Sequence, residues 1–188
     1  YKTRNVSLEA YVMTKKLFLE LVRKAANTSS LYWFKDILAD SCEDLRINGY
    51  AFKGMVYCVN SLRSYFKANI ELRTHAKARE LFKEDWPIHT RTNDSAPSQY
   101  MPEAKIRGCS IANGCHIEGH VENCVIGRNV IIKRGAVVKN SVILPGAYIG
   151  EGAKLDHVIV DKAAIVNHVK KLVGTDDSPI YVKRRDRI

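Results

Sequence analysis

The sequence predicts two structured parts: an α/β portion over residues 1–88 and a parallel β-helix of hexapeptide repeats over 104–170. Three observations predict it. Apolar residues in the second half recur every six places, a period that suits neither a 3.6-residue helix nor a two-residue strand alternation. The first half mixes strand-like runs with amphipathic helical ones. Between them, residues 89–103 (HTRTNDSAPSQYMPE) are polar, carry Pro97 and Pro102, and read as a linker. Residues 171–188 follow the repeat as a C-terminal tail.

In the first half, residues 6–13 (VSLEAYVM) suit a strand. Thr14 can cap a helix whose apolar face is Leu17, Phe18, Leu21 and Val22. Residues 50–57 (YAFKGMVY) suit a second strand. Ser61 can then cap a helix with Leu62, Tyr65, Phe66, Asn69 and Leu72 at helical spacing. Two strands are too few to close a sheet, so this half is expected to be the end of a larger α/β domain. A first residue of Tyr1 and the lack of an apolar leader point the same way.

In the repeat, Ile126, Ile132 and Val138 are six apart, as are Ile143, Ile149 and Leu155 after a one-residue slip before Pro145. Val130, Ala136, Val142 and Ala153 stand four places after members of this series. Turn formers fall between: Gly127, Asn129, Gly135, Asn140, Gly146, Gly150 and Gly152. Ile111 and Ile117 begin the pattern upstream, before an irregular patch over 118–123. Each hexad supplies one short strand and one corner, three hexads close a triangular coil, and stacked coils bury a continuous core. On this count 104–170 holds fewer than four coils. An antiparallel sandwich would instead show uneven strands and two-residue alternation.

Composition narrows the function. The 188 residues are 46% hydrophobic and 27% charged, which is ordinary globular usage. No apolar run approaches the roughly 18–20 residues of a membrane span. Five cysteines without a CxxC fit neither a secreted disulfide framework nor a zinc ribbon, so a reducing cytoplasm is expected. The net charge of +10 is dispersed: +5 over 1–88, −1 over 89–103, +4 over 104–170 and +2 over 171–188. Without a basic arm or an RNP-like aromatic motif, this favours a solvated surface or a small-anion site over nucleic acid.

Few constellations carry chemistry. His116 and His120 are four apart, but that spacing converges only on an α-helix, so these and His157 and His168 are expected on solvated corners. Cys109 and Cys115 are expected as small core residues on adjacent faces. Asp176 and Asp177 before Ser178-Pro179 are expected to make a turn. The tail cations Lys183, Arg184, Arg185 and Arg187 suit either a solvated end or a phosphate contact, since guanidinium forks match phosphate oxygens.

The order of motifs resembles the C-terminal half of the bacterial ADP-glucose pyrophosphorylase (glucose-1-phosphate adenylyltransferase) family. The matching stretches are 7–13, 33–38, the Gly54 strand with the Ser61-x3-Tyr65-x3-Asn69 helix, Trp86-Pro87-Ile88-His89-Thr90, and the repeat with Ser141-Val142-Ile143-Leu144-Pro145-Gly146. The resemblance implies a Rossmann-like nucleotidyltransferase domain followed by a left-handed β-helix. It also implies the reaction of ATP with glucose 1-phosphate to give ADP-glucose and pyrophosphate, with Mg²⁺ held by carboxylates. Ser7, Lys35 and Asp36 fall on substrate-contacting positions of the family.

The departures from that family are as informative. Active members carry Asp-Val-Gly-Thr before the second helix, and that Asp is a metal ligand. Here the place reads Cys58-Val59-Asn60-Ser61, and a neutral thiol does not replace a carboxylate on a hard cation. Phe34, Ala39 and Gly54-Met55-Val56 also depart from the pattern. The resemblance is therefore to the regulatory, weakly or non-catalytic glycogen-biosynthesis subunits of the family. These imply no cofactor held by the fragment itself and Mg²⁺ on a catalytic partner subunit. They imply a heterotetramer with that partner, or a homo-oligomer through the β-helix, and phosphorylated metabolites as effectors; nucleic acid and membrane are not implied. An active adenylyltransferase is the alternative, and a hexapeptide-repeat acyltransferase a more distant one.

Overall fold

A computed structural model describes residues 6–29, 34–90 and 92–188, the side chains of Phe34 and Lys35 excepted. The chain divides into two compact units, 1–52 and 53–188.

The first unit pairs α1 (Lys15–Thr28) with α2 (Phe34–Asp40). Thr14 has extended backbone and its hydroxyl accepts the Leu17 N–H at 3.3 Å, which starts α1. Leu21 and Ala25 are buried against Ile37, with Leu17 partly buried beside them. This is a single row at i, i+4, because one short helix covers only a narrow stripe. Phe18 and Val22, expected on the buried face, stay exposed at 46% and 40%.

Neither 6–13 nor 50–57 forms a strand. A strand exists through its ladder, and among the described residues neither stretch has a paired neighbour. The Rossmann-like sheet expected of 1–88 is thus not formed by the described residues.

In the second unit, α3 (Leu62–Leu72) and α4 (His75–Leu81) precede a parallel β-solenoid. Its first coil is β1 (Gln99–Tyr100), β2 (Lys105–Arg107) and β3 (Ser110–Ile111). The second is β4 (His116–Ile117), β5 (His120–Glu122) and β6 (Val125–Ile126), and the third β7 (Ile131–Ile132), β8 (Val137–Lys139) and β9 (Val142–Ile143). The fourth is β10 (Tyr148–Ile149), β11 (Lys154–Asp156) and β12 (Val158–Val160), and the fifth β13 (Ile165–Val166), β14 (Lys171–Val173) and β15 (Ile180–Val182). Every third strand pairs in parallel, giving three five-stranded sheets. The core is the hexad series: Ile117, Val121, Ile132, Val138, Ile143 and Ile149 are all fully buried.

The solenoid is longer than the repeat suggested. It begins at Gln99, inside the stretch expected as a linker, and β14 and β15 lie in the stretch expected as a tail. Their apolar positions are spaced by corners of unequal length, so a strict six-residue period misses them. The common coil is 17 residues, as in Ile131↔Tyr148 and Tyr148↔Ile165. It drops to 15 for Lys105↔His120 and rises to 22 for Val158↔Ile180.

The short coil explains the irregular patch. Only Glu118 and Gly119 join β4 to β5. A Cβ on Gly119 would stand 2.5 Å from the Ala136 carbonyl oxygen, so the cut corner requires glycine there. Glu118 clamps this corner to the next coil: it accepts hydrogen bonds from Lys133 Nζ at 2.5 Å and the Arg134 N–H at 3.2 Å, and faces His116 Nε2 at 3.0 Å. The Lys133 ammonium, opposed by some burial, holds the Glu118 carboxyl below the usual carboxylate range.

Candidate functional site

The site is the loop that feeds α3, the helix itself and the solenoid face beneath it. Ser61 opens the helix with a reciprocal cap: its hydroxyl accepts the Ser64 N–H at 3.1 Å, while Ser64 Oγ accepts the Ser61 N–H at 3.0 Å. The Asn60 N–H donates to the same Ser64 oxygen at 3.1 Å. The loop's polar groups are thus turned onto the helix start. Tyr57 OH donates to Glu71 Oε2 at 3.0 Å; desolvation first, and this carboxylate second, raise the phenol's pKa.

Helix α3 lies along the stack. Phe66, 1% exposed, is buried on Val142 and Ile159, outward residues of the third and fourth coils. At its end, Arg73 Nη1 donates to the Asn123 carbonyl of the second coil at 3.1 Å. At its start, Arg63 pairs with Asp177 of the fifth coil at 2.5 Å. Ten residues of helix rise about 15 Å, and three coil steps of ~4.8 Å cover about 14 Å. The helix is therefore matched in length to the coils that it spans.

The corner beneath Phe66 belongs to a column of residues with positive φ: Gly108, Asn123, Asn140 and His157. Asn tolerates this backbone and Gly prefers it, whereas His is there at some cost. His157 is held by its surroundings. Its Nδ1 lies 2.7 Å from Asp156 Oδ1, its Nε2 lies 3.3 Å from Asp176 Oδ1, and its ring faces Phe66. The lengthened corner of the fifth coil, 174–179, carries both Asp176 and Asp177. The expected turn is present, with the Ser178 N–H donating to Thr175 Oγ1 at 3.1 Å, but its two carboxylates also hold His157 and Arg63. No short-range signal in the sequence announces this use, because both partners are more than ten residues away.

The predicted site residues fall in several places. Ser7 is exposed in the first unit and its hydroxyl accepts the Glu9 N–H at 3.1 Å. Asp36 is half-buried in the first turn of α2, and the Lys35 side chain lies outside the described residues. Cys58 is an exposed free thiol in the second unit, two residues before Asn60. Among the described residues no group of three His, Cys, Asp or Glu side chains could hold a metal. The loop offers Mg²⁺ a soft sulfur and an amide oxygen already facing Ser64 Oγ, so its donors do not fit that ion. His116 and His120 are not on the solvated corners expected: they are half-buried in strands β4 and β5, on different sheets, because the cut corner at Glu118 and Gly119 leaves only two residues between the strands.

The basic residues of the expected tail are not a loose end. The Arg185 N–H donates to the Lys162 carbonyl, and Arg187 bridges Ile165, so 183–188 start a further coil. Lys183, Arg184, Arg185 and Arg187 are exposed there. Arg184 stands near Asp161: burial raises that carboxyl's pKa, but the Tyr181 hydroxyl at 2.6 Å, the Lys162 N–H and the charge of Arg184 outweigh this and lower it. No helix among the described residues is long and apolar enough to cross a membrane.

The sequence has relatives among known proteins. Residues 97–179 match the family described as GlmU-like, C-terminal hexapeptide. The chain is 27% identical over 178 residues to the glycogen biosynthesis protein GlgD of Bacillus subtilis, covering 95% of this chain and 52% of that protein. It is 32% identical over 126 residues to the glucose-1-phosphate adenylyltransferase of Corynebacterium jeikeium, 66% of this chain and 31% of that one. It is 30% identical over 153 residues to the enzyme of the same name from Bacillus thuringiensis, 80% of this chain and 40% of that one. The chain spans about half the length of the first of these relatives and less of the others.

Proposed function

Starting from a chain that is a relative of the C-terminal region of GlgD and of the glucose-1-phosphate adenylyltransferases, we propose that it is part of a regulatory subunit in glycogen biosynthesis. In this reading the whole protein catalyses little itself and raises the activity of a catalytic partner that joins ATP and glucose 1-phosphate into ADP-glucose. The observation that carries the reading is Cys58. Where active members have a metal-binding Asp, this chain has an exposed thiol in a loop whose remaining polar groups cap α3. In-line transfer to a phosphoryl group depends on charge neutralisation, which a neutral thiol does not supply to Mg²⁺. Beyond the loop, the helix, its cap and its seat on the solenoid are all formed.

The partner reading follows from the same scaffold. A β-helix exposes flat sheet faces and open ends whose backbone groups suit association. We place the catalytic subunit, and phosphorylated effectors at the basic last coil, in that role. The test is the full-length protein in Mg²⁺ with ATP and glucose 1-phosphate, alone and with the catalytic subunit. Turnover far below the roughly 10 s⁻¹ median of enzymes is expected alone, with a rise in the partner's rate on mixing. Turnover near that median without the partner would overturn the reading in favour of an active adenylyltransferase. Cys58→Asp should restore only part of the activity, because Asn60, Phe34 and Ala39 depart from the family as well.

A further inference from the structure

Cys109 and Cys124 occupy the same place in consecutive coils, each directly before a strand whose partners are in register, Ser110↔Val125. Equivalent backbone positions in neighbouring strands lie ~4.8 Å apart, within the roughly 4.4–6.8 Å that a disulfide bridges. The Cys124 N–H points at the Cys109 sulfur, 3.5 Å away. Cys115 is buried on the adjacent face, as expected, where its thiol donates to the Ala112 and Gly127 carbonyls.

The two thiols have unequal surroundings. Cys124 is fully buried, while Cys109, in the first coil, is only half-buried and can be reached from solvent. The Cys124 thiol and backbone N–H, with the positive charge of Arg73 on α3, lower the Cys109 pKa to about 6 despite its burial. Burial first, and Cys109 second, push the Cys124 thiol up. One sulfur can thus be reached from solvent and loses its proton more readily than an ordinary thiol, and the other is a buried thiol one coil further on.

We propose that Cys109 and Cys124 form an oxidation site, in which a peroxide oxidises Cys109 and Cys124 then closes a disulfide between two coils. In the first step the Cys109 thiolate attacks a peroxide oxygen. An S–O bond forms, the O–O bond breaks, and the departing hydroxide takes a proton to become water. In the second step Cys124 gives up its proton and its sulfur attacks the sulfenic sulfur. The S–S bond forms and the S–O bond breaks, releasing a second water. Two thiols and one hydrogen peroxide give one disulfide and two waters. The disulfide would form beside Asn123, whose carbonyl holds Arg73, so the change is adjacent to the end of α3. This inference is independent of whether the subunit is regulatory or catalytic.

The experiment uses the chain carrying Cys42→Ser and Cys58→Ser, which leaves Cys109, Cys115 and Cys124. It is treated with hydrogen peroxide, and its thiols are then titrated under denaturing conditions. The titre is expected to fall from three to one. Cleavage after Glu118 and Glu122 separates the two cysteines, so the linked peptides should appear with the loss of two hydrogens and vanish on reduction. Cys115→Ser should leave the link intact. Cys124→Ser should abolish it and let dimedone trap a sulfenic acid at Cys109; serine is suited to this position, since Ser141 fills the equivalent place one coil on. A titre that stays at three under peroxide sufficient to oxidise free glutathione would overturn the proposal. So would Cys109 recovered as sulfinic acid with Cys124 still open to alkylation.

Discussion

The Phe66 ring on α3 lies 6.0 Å from the His157 imidazole, with the two planes tilted by 41°. Through this pair the helix that follows the Cys58 loop rests on a corner whose backbone has positive φ. Removing the ring should therefore unseat the helix while leaving the coils stacked. Phe66→Ala is expected to cost about 3–5 kcal/mol, the range for a buried aromatic. Denaturant unfolding followed by hydrogen exchange checks it: α3 amides should lose protection well before those of β7 to β12.

The Arg63–Asp177 pair should behave differently. Both side chains are largely exposed, at 63% and 76%. Exposed pairs contribute roughly 0–1 kcal/mol, so Asp177→Asn is expected to shift global stability by less than about 1 kcal/mol. Its effect should be local, as faster hydrogen exchange over 58–64. The exchanged pair Arg63→Asp with Asp177→Arg should recover the slow exchange, and a like-charged pair from Arg63→Asp alone should not.

Glu118 predicts a dependence on acid. Its folded carboxyl titrates below the ordinary glutamate range because Lys133 holds it. A lowered carboxylate contributes stability that is present above the unfolded pKa and is lost as pH falls through the folded one. The melting temperature of the wild type should thus drop more steeply below about pH 4.3, the ordinary glutamate value, than that of Glu118→Gln. The two curves should converge at the acid end. Parallel curves across this window would show that the clamp carries no charge-dependent stability.

The basic last coil predicts an anion response. Lys183→Ala, Arg184→Ala and Arg187→Ala in one chain remove three exposed cations. Arg185 is left, since its φ of 59° would make its replacement a backbone change as well. A well-placed charge-assisted hydrogen bond contributes about 1.5–3 kcal/mol, so the half-saturating concentration of inorganic phosphate on the assembled complex should rise tenfold or more. An unchanged value would leave these side chains as solvated groups.

How much of this was legible in the sequence depends on the range of the interaction. The solenoid core was legible because Ile126, Ile132, Ile143 and Ile149 repeat locally, and each strand's place follows from its neighbour's. The helix caps at Thr14 and Ser61 were legible for the same reason, since capping acts over three residues. The strands expected at 6–13 and 50–57 were not borne out, because strand-like composition does not provide a partner. The buried row of α1 was misjudged at Phe18 and Val22, since the width of the covering helix decides it. The uses of Asp176, Asp177 and Arg73 are set by stacking, which brings together residues that nothing links along the chain. Cys109 and Cys124 were missed because a 15-residue coil, and not an 18-residue one, aligns them.

The match between α3 and its seat makes coil number and helix length a shared gauge. Arg63 and Arg73 are anchored three coils apart, and the stack can change only by whole coils, each about 4.8 Å. A helix changes in steps of about 1.5 Å, but its anchoring face returns only after a turn of about 5.4 Å. The two units of length are nearly commensurate. A lineage that gained or lost one coil between Asn123 and Asp177 could keep both anchors by adding or deleting close to one helical turn in 62–72. Insertions of any other size are directed to the corners, where the 174–179 extension and the cut at Glu118 and Gly119 are found.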